Sequence, residues 1–324
     1  MNARKQNLPV ISISYVICTY KRNNSLLTTL NSFFNMEFLV GRDWELIVID
    51  NACDSETENL LSVFKKKHSN IKYIQESSLG LCNARNRGLN ECNKSYIFFL
   101  DDDVSFDKYF IKTIFTCIEK YQMDVIVPKI ICKIDNEWPA WLKQRVSSGV
   151  GQYDEGDESK LLSSSSKIPI GAGFGFKITM VKKYGYFPGY LDRKGKSLLG
   201  GGDTLYLKRM ITGESNIRYC PDIHMEHRFL EGKESKAYWK KQAFDGGRSY
   251  VRMNYFDINF VTEFIHWLFK AISRGVLSIL DIKNNFLHQY HMRAYLGRIY
   301  ESARLVFDKS LVEKIKVYKE GIKT

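Results

Sequence analysis

The chain has 324 residues, 44% hydrophobic and 26% charged, with six prolines; this excludes long disorder and gives room for one large α/β unit plus an appendage, or two modest domains. Its seven cysteines are scattered and form no C-x-x-C pair, which argues against a disulfide framework and for free thiols in a reducing compartment. The net charge is +12, and the segment from Arg228 onward carries +8 of it (18 Lys and Arg against 10 Asp and Glu); such a basic third suits an anionic membrane surface, a nucleic acid, an acidic substrate, or simply a lysine-rich solvated face.

In chain order, "ISISYVICTY" is a β-branched and aromatic run that reads as a strand. No small-residue cleavage site follows it, so it is not taken as a signal peptide. "SLLTTLNSFFNM" has apolar residues at helical spacing, and "WELIVIDN" is a second strand ending on a carboxylate. "SETENLLSVFKKKH" reads as a helix, with acids in its first turn and lysines in its last, as the helix dipole prefers. "NIKYIQES" is a third strand, "GLCNARNRGLNEC" a helix, "SYIFFLDDD" a fourth strand, "FDKYFIKTIFTCIEKY" a helix and "DVIVPKII" a strand. Alternating strands and helices imply a doubly wound, mostly parallel sheet, and the continuous apolar strands fit a sheet covered on both faces. Ligands bind such sheets beyond the carboxyl ends of the strands. Asp50, Asp101, Asp102 and Asp103 fall at such ends, which places them on the rim of a site rather than in the core.

From Ile134 to about Tyr190 the chain reads as loop-rich, with "EWPAWL", a serine patch and "IPIGAGFGFKI". From about Gly232 it reads as helices. Within that part, Phe260–Ile282 carries a narrow polar stripe (Glu263, His266, Lys270, Arg274, Ser278, Asp281) and an otherwise apolar surface. Its charges argue against a spanning helix. It either lies in a membrane interface or packs on the catalytic domain or a second subunit.

Three adjacent aspartates repel one another and resist desolvation. A divalent cation among them reverses the sign of that interaction, and oxygen ligands select Mg²⁺ or Mn²⁺. The alternative is a solvated acidic turn. "LLGGGDTLYLKRM" sets Asp203 near a helix start, where it is either a capping group or a base beside a close backbone approach. In "YCPDIHMEHRF", Ile223, Met225 and His227 share one strand face and His224 the other.

Taken together, "YVICTYKRNNSLLTTLNSF", "IVIDNACDSET", "SSLGLCNARNRGL" and "FFLDDDV", in that order and spacing, resemble the family 2 glycosyltransferases, which have the GT-A fold. The resemblance covers roughly residues 10–230. It implies a catalytic domain over 1–231, with a nucleotide-binding half at about 10–133 and an acceptor half at about 134–231. A C-terminal helical region, 232–324, follows. It implies that Thr19, Tyr20, Asp50, Gly80, Arg85, Asn86, Asp101 and Asp102 surround a nucleotide-sugar. Asp103, Asp101 and His227 are then ligands of Mn²⁺ or Mg²⁺, with His224 the second choice to His227. Asp203 becomes the general base of an inverting transfer, although the family's usual G-G-E-D has Gly202 in place of Glu. Arg209 matches the basic residue that often follows on the same helix. Gly171, Gly173, Gly201 and Gly202 would line the acceptor pocket, and Trp138 would stack on sugar or lipid or else plug the loop.

The expected reaction moves a sugar from a nucleoside diphosphate, UDP first, to a glycan or lipid-linked acceptor in surface polysaccharide assembly. With the basic last third, that places the protein at the cytoplasmic face of the cell membrane. A nucleotidyltransferase is the alternative enzyme, but "CTYKRNNS" lacks the glycine-rich loop it needs. A non-catalytic anion- or nucleic-acid-binding protein is the other alternative, although the basic tail contains no nucleic-acid motif.

Overall fold

The structure is a computed structural model, and it describes residues 11–133, 140–143, 151–194, 197–213, 215–229 and 233–320. The elements run β1 (Ser12–Thr19), α1 (Asn23–Phe34), β2 (Asp43–Asp50), α2 (Ser55–Lys65), β3 (Ile71–Gln75), α3 (Leu81–Glu91), β4 (Tyr96–Asp101), β5 (Val104–Phe106), α4 (Phe110–Tyr121) and β6 (Val125–Lys133). There follow α5 (Ala140–Lys143), β7 (Lys160–Leu161), β8 (Gly173–Lys177), α6 (Met180–Tyr184) and α7 (Gly202–Thr212). The chain then forms β9 (Ile217–Arg228), α8 (Lys236–Met253), α9 (Phe260–Leu280), α10 (Asn285–Phe307) and α11 (Lys309–Glu320).

One sheet carries the order β3-β2-β1-β4-β8-β6-β9-β5, with β7 also paired to β9. The first four strands in that order are parallel. Their interiors, such as Tyr15–Ile17, Leu46–Ile49 and Ile97–Phe99, are almost wholly excluded from solvent. That burial on both faces is why they read as unbroken apolar runs. β1, β2 and β4 end level, Thr19 beside Asp50 and Cys18 beside Asp101. The helix–strand alternation thus brings Thr19, Asp50 and Asp101 to one sheet edge.

Two features differ from the sequence expectation. The stretch read as loop contains β8, which sits in mid-sheet antiparallel to both β4 and β6. Its "GFGFK" hides a strand because glycine replaces every second side chain. A Cβ at Gly175 would lie 2.5 Å from the Phe98 ring, so that large residue fills the space. The fourth strand also stops at Asp101. Asp102 and Asp103 form a turn into β5, which pairs antiparallel with β9 and sets Val104 opposite His227.

Beyond the sheet, α8 and α9 each pack on α10. A small core forms around Val251, Trp267, Leu305, Leu311 and Ile315. In α9 the buried positions are Trp267, Ala271 and Ser278. Arg274 and Asp281 both meet His288 of α10, each at 3.1 Å. Part of the polar stripe therefore faces inward, and the apolar side faces out: Ile265, Phe269, Ile272 and Ile279 are each 60–77% exposed. Among the described residues no helix is long and apolar enough to cross a membrane.

Candidate active site

The turn after β4 brings Asp101, Asp103 and His227 together, each offering a ligand atom within 4.8 Å of the others'. Asp103 is 2% exposed and His227 7%. His227 Nε2 lies 3.2 Å from Asp103 Oδ1. Gly151 backs the imidazole closely, since a Cβ there would lie 2.3 Å from His227 Nδ1. The other histidine, His224, projects from the opposite face of β9 and is not in the cluster, as the two-residue alternation of a strand requires.

Of the four acids expected on the rim, Asp101 alone keeps solvent exposure, its side chain 31% exposed. Asp102 is also 2% exposed, and Asp50 is fully buried. The chain covers them with its own cations and donors. Arg22, just after β1, pairs with Asp102 at 2.6 Å and with Asp103 at 2.7 Å. Lys233, just before α8, approaches Asp103 to 3.8 Å. Thr19 Oγ1 donates to Asp102 Oδ2 at 2.8 Å. Burial pushes Asp101 and Asp102 upward against the pull of Arg85 and Arg22 respectively. Burial opposes the ionised form of Asp103 too, but His227, Arg22 and Lys233 outweigh it and hold that carboxyl well below its usual range. Burial likewise works against a charged His227, and the Asp103 carboxylate overcomes it, raising the imidazole to about 9.

The donor set fits a hard divalent cation: two carboxylates and an imidazole on one side of a turn. Asp103 Oδ1 is buried, and among the described residues its contact is His227 Nε2 at 3.2 Å, which falls short of hydrogen-bond geometry. A cation held by both atoms would satisfy that oxygen in place of the imidazole.

Arg85, from α3, is the second centre. It is 3% exposed. Its Nη2 donates to Gly171 O at 2.9 Å and lies 3.3 Å from Asp101 Oδ1. Its Nη1 lies 4.0 Å from Asp203 Oδ2. The Phe174 and Phe187 rings flank it at 5.8 and 5.7 Å, so the guanidinium is held in place between the two carboxylates. Asp203 is not the helix cap. Gly201 takes that position with φ +93°, and Asp203 lies in the first turn of α7, its Oδ1 accepting from Thr204 N. Its Oδ2 faces Gly171 so closely that a Cβ there would lie 1.8 Å away. At Gly202 a Cβ would meet Cys82 Sγ at 2.4 Å, so this glycine lets α7 start against α3.

The remaining sequence candidates fall as follows. Asp50 accepts from Ala52 N, Asp54 N and the Tyr73 hydroxyl, at 2.9, 2.7 and 2.9 Å, and thereby shapes the loop after β2. Tyr20 is 41% exposed beside Thr19. Asn86 exchanges two hydrogen bonds with the Phe187 backbone and acts as a staple. Gly80, at φ +139°, precedes α3, where Asp192 Oδ1 accepts from Cys82 N at 2.9 Å. A Cβ at Gly80 would strike that carboxylate. Gly173 packs against Met225 in the core and not on the surface near Asp203. Arg209 stacks on Tyr318 of α11, its carbon 3.8 Å from the ring centre. Trp138 lies outside the described residues; its neighbour Trp141 packs on Phe286.

Sequence reading missed Arg22, Lys233 and Asp192. Only Arg22 left a usable signal, a cation directly after the first strand and therefore at the sheet edge that carries the acids.

Comparison with known proteins bears on this site. The family described as Glycosyl transferase family 2 matches residues 14–185. Among curated relatives, glycosyltransferase GlyA of Streptococcus pneumoniae is 26% identical over 115 residues, 36% of this chain and 16% of that protein. Poly-beta-1,6-N-acetyl-D-glucosamine synthase of Staphylococcus epidermidis is 27% identical over 105 residues, 32% of this chain and 24% of that protein. The matched stretch thus spans a quarter or less of either relative. The crystal structure of S. aureus TarS 1-349 in complex with UDP superposes with a TM-score of 0.54, at 16% identity, over 96% of this chain and 92% of that one. At that identity the likeness speaks for the fold, a GT-A-like mixed sheet with C-terminal helices. The family match takes in just over half of the chain, including Asp50, Arg85 and Asp101–Asp103, and on it the chain belongs to glycosyl transferase family 2.

Proposed function

We propose that this chain transfers a sugar, with inversion, from a nucleoside-diphosphate sugar to a glycan or lipid-linked acceptor in surface polysaccharide assembly. The observation that carries the reading is the facing pair of centres: the Asp101–Asp103–His227 cluster on one side of Arg85 and Asp203 on the other. Tyr20 and the loop shaped by Asp50 would receive the base and ribose, with UDP the first choice of nucleotide. S. aureus TarS, which shares the fold, has been solved with UDP and with UDP-GlcNAc.

Asp101, Asp103 and His227 would hold Mn²⁺ or Mg²⁺, which offsets charge on a departing diphosphate. Arg22 and Lys233, beside Asp103, are placed to take up further charge from that group. Asp203 Oδ2 removes the acceptor hydroxyl proton as that oxygen attacks the anomeric carbon and the bond to the diphosphate breaks. Arg85 fixes the spacing of the two centres. Gly171, which leaves room beside Asp203, forms the acceptor floor together with Gly201 and Gly202.

A membrane surface is the setting this reading adds. The outward apolar side of α9, with Val261, Ile265, Phe269, Ile272, Ile279 and Leu280, belongs to the basic third of the chain. That combination suits the interface of an anionic leaflet on the cytoplasmic side. Two copies would instead bring like charge together.

Calorimetry with UDP, GDP, dTDP and CMP, each with Mn²⁺, with Mg²⁺ and with chelator, tests the donor site. We expect metal-dependent binding of one nucleotide that is lost in Asp103→Asn. Absence of binding for every nucleotide and metal would end the catalytic reading.

A further inference from the structure

We infer that Asp245 and Ser249, on α8, are positioning residues of the transfer site: they hold the loop that presents Asp203. The inference rests on the reading of Asp203 as the acceptor base. The loop Ser197–Gly202 ends in three successive glycines. Glycine loses more conformational freedom on ordering than any other residue, so this loop has little means of fixing itself. Yet a base must be placed to a fraction of an ångström to act.

α8 supplies the order. Asp245 Oδ2 accepts from Leu198 N at 2.7 Å. One helical turn on, Ser249 Oγ accepts from Gly200 N at 3.1 Å while donating to Asp245 O at 3.0 Å. A further turn on, Met253 packs on Gly201, where a Cβ would lie 2.8 Å from its sulfur. Spacing of four residues puts all three on one helix face. They grip alternate N–H groups and the capping glycine directly before Asp203. Asp245 and Ser249 are each only 4% exposed.

The grip is braced from behind. Arg248 pairs with Asp245 at 2.9 Å and with Glu301 of α10 at 2.7 Å. Glu301 is fully buried and also holds Arg252, whose Nη1 donates to Tyr190 O. The C-terminal helices are, on this inference, part of the catalytic unit and not an appendage to it.

The experiment compares Ser249→Ala, Asp245→Ala and the conservative Asp245→Asn with Asp203→Asn and with Gln242→Ala. Gln242→Ala removes a different α8 hydrogen bond, from the Tyr290 hydroxyl at 2.9 Å, and leaves the loop alone. Three quantities are read on the full chain. They are amide exchange of peptides covering 197–203, affinity for UDP with Mn²⁺, and UDP release from UDP-N-acetylglucosamine with Mn²⁺, water serving as acceptor. We expect faster exchange in that loop and about 10- to 100-fold slower UDP release in Ser249→Ala and Asp245→Ala. UDP affinity should stay within about threefold of the unsubstituted chain. Asp245→Asn, which keeps an oxygen for Leu198 N, should recover part of the rate, and Gln242→Ala should change none of the three. Unchanged loop exchange in both alanine variants overturns the inference. So does faster exchange with full turnover while Asp203→Asn has none. Full turnover in Asp203→Asn, or no UDP release by the unsubstituted chain, counts instead against the proposed function, and loop exchange still decides whether α8 holds the loop.

Discussion

His227 Nε2 and Asp103 Oδ1 lie 3.2 Å apart, joining the end of β9 to the turn after β4. Without a cation this contact is an ion pair, and it sets the pH dependence of stability. His227 is raised from 6.5 to about 9, so its contribution is complete below about pH 6.5 and is lost as pH rises through 9. Asp101 and Asp102 are raised by burial, so they also cost stability as they ionise on going up in pH. Asp103 is lowered, so its contribution is complete above the ordinary carboxylate pKa and is lost as pH falls below it. The metal-free protein should therefore be most stable in mildly acidic solution and lose melting temperature toward pH 9. A bound cation favours ionised carboxylates and a neutral imidazole, and binding releases the proton. Mn²⁺ should raise Tm more at pH 8 than at pH 6. Equal shifts at the two pH values in scanning calorimetry would count against the Asp–Asp–His site.

Asp203→Asn keeps the shape of the first turn of α7 and its contact with Thr204 N. It removes the carboxylate that lies beside Gly171 and Arg85 and is placed to take the acceptor proton. Turnover should fall by about 10²- to 10⁴-fold, with UDP affinity in Mn²⁺ little changed. A variant that keeps most of its turnover would show that another group is the base.

Gly171→Ala tests the same place by steric means. The added methyl would fall 1.8 Å from Asp203 Oδ2 and 2.9 Å from Arg85 Nη2. It must push the carboxylate aside, so turnover should drop at least tenfold while nucleotide binding, on the other side of Arg85, persists. If turnover is retained, Asp203 does not act from its observed position.

The strands and helices of the first half were legible because burial on both faces of β1, β2 and β4 forces continuous apolar runs. The D-x-D acids, Asp203 and His227 were picked out because chain order and spacing carry the family resemblance; the structure clusters Asp101, Asp103 and His227 and sets Asp101 and Asp203 against Arg85. Other features depend on contacts across the chain, and local patterns do not encode those. β8 was hidden by alternating glycines whose partners are Phe98 and Met225. Lys233 reaches Asp103 only because β9 returns the chain to the site. The three bonds on Asp50 come from its own loop and from β3. The inward face of α9 was not legible for a related reason: beside the buried Trp267, Ala271 and Ser278, the polar Arg274 and Asp281 find their partner in His288 of α10.

Glu301→Ala should be the most destabilising single change in the C-terminal helices. The carboxylate is fully buried and receives Arg248 and Arg252, each at 2.7 Å. Removing it leaves two poorly exposed guanidinium groups without their shared partner, a loss of about 3–5 kcal/mol for a broken buried pair. Chemical denaturation should show this as a lower midpoint. A midpoint within error of the unsubstituted chain would mean that water or other acids compensate, and that α8 is not braced through Glu301.

The outward side of α9 makes a prediction that separates its two possible occupants. Ile265 and Phe269, four residues apart on one face, are 64% and 69% exposed. Replacing both with glutamate leaves the buried Trp267, Ala271 and Ser278 untouched, so the fold should hold. An interfacial helix gains from buried apolar area and from attraction between basic residues and anionic lipid. The unsubstituted chain should therefore float with vesicles containing phosphatidylserine or phosphatidylglycerol, and much less with neutral vesicles or in high salt. The double substitution should abolish flotation and leave UDP binding intact. If the chain fails to float, and light scattering shows a dimer that the same substitutions dissociate, the face is covered by a second copy. The membrane setting then falls, while the sugar-transfer chemistry is unaffected.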